Sequence, residues 1–305
     1  RGYDIQTDVA GNVLVLGSFE DTLDFDLGPG TSFLYAVNGY TYVLKLNAAG
    51  EFLWVKQNQT PTSGVRMETD ASGNVYITGY VIGTQDLDPG PGTFMVSSTQ
   101  VATYIVKLDQ EGDFLWAKVL ENINAGYATP DGLVLDPTGG LYLIGATGGE
   151  VDFDPGPGQY IPNPPNGRFI SKYDNEGNFQ WVNPWNPAPN IELIDFDVDG
   201  QGNVFIGGEY SGTIDFDPGP GTASPGPSAG QKDVFVQKFD PDGNLIWVRA
   251  IQGVQAQSLG GLAVDVNGNV VLFGEFQNPT DLDPGPDTLL FDTDDFRPDL
   301  YLQKL

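Results

Sequence analysis

The stretch that decides the fold runs from Asp70 to Val119. It reads Asp70-Ala-Ser-Gly73-Asn74, Val75-Tyr-Ile-Thr-Gly-Tyr80, Asp86-Leu-Asp88-Pro-Gly-Pro-Gly92, Tyr104-Ile-Val-Lys107-Leu108, Asp109-Gln-Glu-Gly112 and Phe114-Leu-Trp116-Ala-Lys-Val119. Short runs of β-branched and aromatic residues alternate here with Asp/Asn/Gly turns, whose residues tolerate the positive φ that hairpins need. An alternating run from Val65 leads into Asp70, so the unit carries four strands. No segment keeps helical periodicity beyond a turn or two.

The unit recurs along the chain. Trp54, Trp116, Trp181 and Trp247 follow one another by 62, 65 and 66 residues. Lys45, Lys107, Lys172, Lys238 and Lys304 take the same steps, and Asp8, Asp70, Asp136, Asp199 and Asp265 keep pace with them. One period carried by three markers gives five repeats, approximately 1–59, 60–124, 125–187, 188–253 and 254–305. Four antiparallel strands in a period of this length match a propeller blade. The expectation is an all-β chain forming a single five-bladed β-propeller domain over 1–305. The fifth repeat runs through Leu300-Tyr-Leu-Gln-Lys-Leu305 and stops before its turn and Trp strand, while the chain opens directly on Tyr3-Asp-Ile-Gln-Thr-Asp8. The last blade is therefore expected to lack its final strand, leaving an edge of the kind that pairs with another chain. The opening Arg-Gly-Tyr, without methionine, reads as the start of a processed or excised segment.

The run Gly73-Asn-Val-Tyr-Ile-Thr-Gly79, followed by Tyr104-Ile-Val-Lys-Leu-Asp109-x-x-Gly112 and a Trp strand, resembles the β-propeller repeat family of secreted bacterial proteins (the SBBP type). The resemblance covers nearly the whole chain. It implies a propeller and an extracytoplasmic setting, and it lends no particular activity.

Each repeat also carries an aspartate loop. The five are Asp24-Phe-Asp26-Leu-Gly-Pro-Gly30, Asp86-Leu-Asp88-Pro-Gly-Pro-Gly92, Asp152-Phe-Asp154-Pro-Gly-Pro-Gly158, Asp215-Phe-Asp217-Pro-Gly-Pro-Gly221 and Asp281-Leu-Asp283-Pro-Gly-Pro-Asp287. In extended backbone, residues i and i+2 point the same way, so each Asp pair converges while the Phe or Leu between turns toward the core. Two close carboxylates repel, and a hard cation with oxygen ligands relieves the conflict, which selects Ca²⁺ in a chain without His or Cys. The other reading is an Asx turn, in which the carboxylates accept backbone N–H groups. Leu27 and Asp287 depart from the consensus and mark the two sites expected to be weak or altered, unless Asp287 adds a ligand of its own. Five Ca²⁺ ions would bring the net charge from −28 to about −18.

That charge, 41 acidic against 13 basic residues, disfavours nucleic acid and anionic membranes as partners. No apolar run approaches the roughly 20 residues of a membrane-spanning helix. Zero cysteine excludes disulfides and thiolate metal sites. Asp195-Phe-Asp197-Val-Asp199-Gly200 begins like an EF-hand loop, but its twelfth position is Ile206 and it aligns with the strand and turn of the other repeats. The tryptophans are expected in the core, packed between blades, with a sugar-stacking platform as the other reading. The repeated lysine is expected to neutralise a carboxylate of the blade, such as a turn aspartate, or else to snorkel to solvent. Asn58-Gln-Thr60 is a lone glycosylation sequon.

A glycoside hydrolase needs two carboxyls in different environments within one cleft, whereas these pairs are near-identical and repeated. The reading is a non-enzymatic, extracellular or cell-surface structural or adhesive protein stabilised by Ca²⁺, able to self-associate through the fifth-repeat edge. A glycan-binding module is the alternative, with a glycoside hydrolase behind it.

Overall fold

The computed structural model describes all of residues 1–305 except 59–62, 164–165, 186–189, 229–230, 278, 286–287 and 292–296, together with the side chains of residues 38, 63 and 185. Asp287 and most of the sequon at 58–60 lie outside the described residues. The structure is all-β, built from antiparallel sheets, and it divides into two compact units, 1–184 and 185–305.

The first unit holds three four-stranded meanders. They are Gly2–Thr7, Val13–Asp24, Phe33–Leu46 and Phe52–Gln57; Ser63–Thr69, Val75–Asp86, Met95–Leu108 and Phe114–Val119; and Tyr127–Leu135, Leu141–Gly148, Gly167–Tyr173 and Phe179–Trp185. A short ladder, Glu121–Asn122 against Val151–Asp152, ties the chain leaving the second sheet to the aspartate loop of the third. The second unit holds Ile191–Val198, Val204–Tyr210, Asp233–Phe239 and Leu245–Gly253 as one meander, extended by Thr280–Asp281 and Leu290–Phe291. Its other sheet has three strands, Gln257–Val264, Val270–Phe276 and Asp299–Lys304. The last of these lies at the sheet edge with Leu300 and Leu302 exposed and Tyr301 buried.

Successive sheets within each unit stack face to face. Leu14, Leu16 and Val43 of the first sheet pack on Met67, Val75 and Ile77 of the second. Tyr76 and Ile105 on the second sheet's other face pack on Leu133, Leu143 and Phe169 of the third. In the second unit, Phe205 and Val236 meet Leu262 and Leu272 in the same way. A sheet covered on both faces has no solvent side, which is why the middle strands Val75–Gly79 and Tyr104–Leu108 are buried at every position, Thr78 and Lys107 included.

The second and third strands of the first two repeats run longer than the apolar pattern indicates. Past a bulge, Gly83–Asp86 pairs with Met95–Ser98 as a polar ribbon that carries the strands up to the loop. With little to bury, that ribbon has no hydrophobic signature. Each first strand contains a bulge at one equivalent place, between Gly2 and Asp4, Gly64 and Arg66, Pro130 and Gly132, Leu193 and Asp195, and Leu259 and Gly261. First strands of consecutive repeats lie side by side within each unit. They are stitched by Asp4 accepting the Met67 N–H at 2.8 Å, and by Asp195 and Asp197 accepting those of Leu262 and Val264 at 2.9 and 2.7 Å. The EF-hand-like segment is therefore a paired strand whose carboxylates are engaged by the neighbouring strand.

Candidate functional site

The aspartate loops share one construction. In every repeat the loop joins the second long strand to the third. The residue between the two aspartates (Phe25, Leu87, Phe153, Phe216 or Leu282) is buried as expected, worth about 1.5–3 kcal/mol for a fully buried side chain. The first aspartate's Oδ1 accepts the N–H of the second aspartate at 3.0–3.1 Å and the N–H eight residues on at 2.7–2.9 Å. The second aspartate's Oδ1 accepts the N–H of the first loop glycine at 2.7–2.8 Å. A backbone bond closes each loop, as in Leu87 N–H to the Phe94 carbonyl at 3.0 Å. The other four repeats form the same bond.

Leu27 leaves this hydrogen-bond set intact, and the described part of the fifth loop keeps it too. The Asx geometry accounts for one oxygen of every carboxylate. Three loop carbonyls are also occupied: Phe153 by the Tyr173 hydroxyl at 3.2 Å, Phe216 by the Gln237 amide at 2.8 Å, and Leu282 by the Gln303 amide. The Oδ2 atoms of Asp26, Asp88, Asp154, Asp217 and Asp283, and those of Asp24, Asp152, Asp215 and Asp281, accept no hydrogen bond among the described residues, so these are the oxygens open to a cation. Among the described residues, no point gathers three or more acidic side chains, so a Ca²⁺ ion there would draw on one or two carboxylates and on water.

A second repeated constellation lies at the turn between first and second strands. The Asp8 Oδ1 accepts the N–H groups of Ala10 and Asn12, and its Oδ2 accepts the Asn12 amide. Asp70, Asp199 and Asp265 repeat the pattern. Asp136, followed by Gly140 in place of Asn, uses the Thr138 hydroxyl instead. The repeated lysine reaches this aspartate, at 2.9 Å for Lys45–Asp8, 4.0 Å for Lys107–Asp70, 3.5 Å for Lys172–Asp136 and 3.4 Å for Lys238–Asp199. Its ammonium also lies over an aromatic ring: Trp54, Tyr76, Tyr142 and Phe205 respectively. Lys45 and Lys107 further donate to the Gln110 and Asn175 carbonyls at the turn of the next repeat, both at 3.1 Å. The lysine thus joins its own turn to its neighbour's. Lys304 is exposed and forms no ion pair among the described residues.

Trp54, Trp116, Trp181 and Trp247 are half-buried, and Trp54, Trp116 and Trp247 pack against the cores between neighbouring sheets, as expected. Trp116, Trp181 and Trp247 meet the second-strand rings of Tyr76, Tyr142 and Phe205 edge-on. Trp54 donates to the Gln110 carbonyl at 3.1 Å, as its neighbour Lys45 does.

Burial of Asp8 works against its charge, but hydrogen bonds from Asn12 and Lys45, with the lysine's charge, outweigh it and hold the carboxyl at about 2. Asp174, Asp199 and Asp240 are also lowered, by their Asn side chains and turn N–H groups acting against burial. A carboxyl depressed on folding contributes stability above its unfolded value of about 3.9 and loses it as pH falls toward the folded value. Asp131 and Asp197, raised by burial, act the opposite way. Neutralising other carboxylates also relieves self-repulsion at a net charge of −28. The expected result is stability that holds down to about pH 4 and drops between pH 4 and 2, read by urea unfolding across that range. A stability that keeps rising to pH 2 would show that repulsion, not the turns, governs acid behaviour.

No protein-family model matches the chain. Over 229 residues, 64% of this chain, it is 24% identical to an uncharacterised WD repeat-containing protein of Acanthamoeba polyphaga mimivirus. It spans 16% of that relative's length. A solved structure of a protein of unknown function from Bacteroides caccae aligns with 95% of this chain and 72% of its own, at 8% identity and a TM-score of 0.38. That likeness is too loose to define the fold.

Proposed function

We propose that the chain is a five-bladed propeller serving as a non-enzymatic structural or adhesive scaffold outside the cell, with Ca²⁺ bound at its aspartate loops. The observation that carries this reading is the loop itself, five times closed by one hydrogen-bond set between the same two strands. The stacking of consecutive sheets, their adjacent first strands and the WD-repeat relative support the propeller. Catalysis by a carboxylate pair needs one acid and one base set apart by their surroundings. Here all five pairs have the same partners, which favours architecture. The secreted-repeat resemblance supports the extracellular setting.

Thermal melts in millimolar Ca²⁺ and in excess chelator test the calcium reading. A ligand that binds only the folded state adds about 2.7 kcal/mol per site at a hundred times its Kd. Chelation is therefore expected to lower the melting temperature by several degrees, and Asp88→Asn to reduce that difference. Superimposable melts with and without chelator would leave the loops as hydrogen-bonded turns and remove calcium from the account.

A further inference from the structure

Two of the chain's five arginines face one cleft. The cleft, about 370 Å³, lies between the first strands of the first two repeats and is lined by Arg1, Tyr3, Gly64, Val65, Arg66 and Tyr80, together with Gly2. None of the loop aspartates lines it. Arg1 is held in the ladder, its nitrogen donating to the Ser18 carbonyl at 2.7 Å and its carbonyl accepting the Ser18 N–H at 2.8 Å. Its guanidinium stands 5.3 Å from the Tyr3 ring centroid, and the Tyr3 hydroxyl is fixed by Ser18 at 2.8 Å. Arg66 pairs with Thr78 in the adjoining sheet and donates to the Val65 carbonyl at 2.9 Å.

Acidic residues outnumber basic ones 41 to 13. Even so, neither guanidinium has an ion pair among the described residues. The nearby carboxylates are bound by other groups, although Asp131 also lies within Coulombic reach of Arg66. Asp4 takes the N–H groups of Ile5 and Met67, and Asp131 pairs with Arg168. Lys45, Lys107, Lys172 and Lys238 are bound to their turn aspartates, so this cleft is a place where positive charge is left facing solvent.

We propose that the cleft binds a small organic monocarboxylate. The planar fork of a guanidinium matches a carboxylate in two-point fashion. Tyr80, 38% exposed, offers ring surface to the body of the ligand, while Tyr3 backs the Arg1 guanidinium. The volume is at the lower end of small-molecule sites. A net charge of −28 penalises each further negative charge brought to the surface, so a monoanion is favoured over a phosphate dianion or a polyanion. The shared chemistry fits a uronic sugar or an aryl acid. The proposal is independent of the calcium reading.

Glucuronate and phenylacetate are titrated into the intact chain in low-salt buffer, followed by calorimetry and ligand-observed saturation-transfer NMR. Glucose and phenylacetamide are the neutral counterparts, and inorganic phosphate is the dianion. At least one carboxylate is expected to bind where its neutral counterpart does not, and which of the two binds more tightly identifies the source. Arg66→Gln is expected to weaken binding about tenfold with an unchanged melting temperature. Arg249→Gln, an exposed arginine over Trp247 in the other unit, is expected to leave it intact. Equal binding of the neutral counterpart, tighter binding of phosphate, indifference to Arg66→Gln, or no binding of either carboxylate would each overturn the proposal.

Discussion

Asp199→Ala is expected to lower the unfolding free energy of the unit 185–305 by about 3–5 kcal/mol, the range for removing one partner of a buried ion pair. Asp199 is 1% exposed and accepts the N–H groups of Gln201 and Asn203, the Asn203 amide and the Lys238 ammonium. Alanine strands all four donors. The ammonium is the costliest, because it lies over the Phe205 ring at 4.7 Å and is largely shielded from water. The measurement is urea unfolding beside Asp265→Ala, in the same unit. Asp265 makes the same turn bonds, but its lysine, Lys304, is exposed. Asp265→Ala removes the turn contribution without a buried pair and is expected to cost clearly less. Equal losses would mean that the turn bonds carry the effect and the lysine adds nothing.

The second large effect is expected from Gly92→Ala. Gly92 has no positive φ, so conformational freedom does not explain it. A Cβ there would overlap Oδ2 of Asp88, and Gly30, Gly158 and Gly221 stand in the same relation to Asp26, Asp154 and Asp217. The glycine is required by close approach of backbone to carboxylate. Forcing a methyl group into that contact is expected to cost about 1–3 kcal/mol, because Asp88 is itself pinned by the Gly90 N–H. A double-mutant cycle isolates the cause. In an Asp88→Ala background the methyl group meets no oxygen, so Gly92→Ala should become nearly neutral there. Additive losses would place the strain elsewhere in the loop.

Much of this was legible in the sequence because it is repeated. The period gave the strand order and the turn aspartates, and it offered a turn aspartate as one partner for the repeated lysine. The structure chose that partner over solvent for Lys45, Lys107, Lys172 and Lys238. The alternation across Asp86-Leu87-Asp88 placed Leu87 in the core. Periodicity says nothing about how deeply a side chain sinks: it placed the tryptophans between blades, where Trp54, Trp116 and Trp247 pack, but they are only half-buried there. The polar ribbon Gly83–Asp86 escaped notice because it buries little and has no apolar pattern. The choice between cation and Asx turn for Asp24 and its equivalents turns on which N–H groups come within 3 Å, a tertiary fact no spacing encodes. Arg1, Arg66, Tyr3 and Tyr80 give no signal for the opposite reason: the constellation does not recur from repeat to repeat, and only the adjacency of two first strands brings it together.

The central claim is that five similarly built aspartate loops stabilise the blades of one propeller, with Ca²⁺ at the free carboxylate oxygens. A diffraction map of crystals grown in millimolar Ca²⁺ tests it most directly. The account predicts five sheets around one axis, with cation density at the Oδ2 atoms of Asp26, Asp88, Asp154, Asp217 and Asp283. Sheets that do not close into five blades, or loops holding nothing beyond their own N–H bonds, would contradict it.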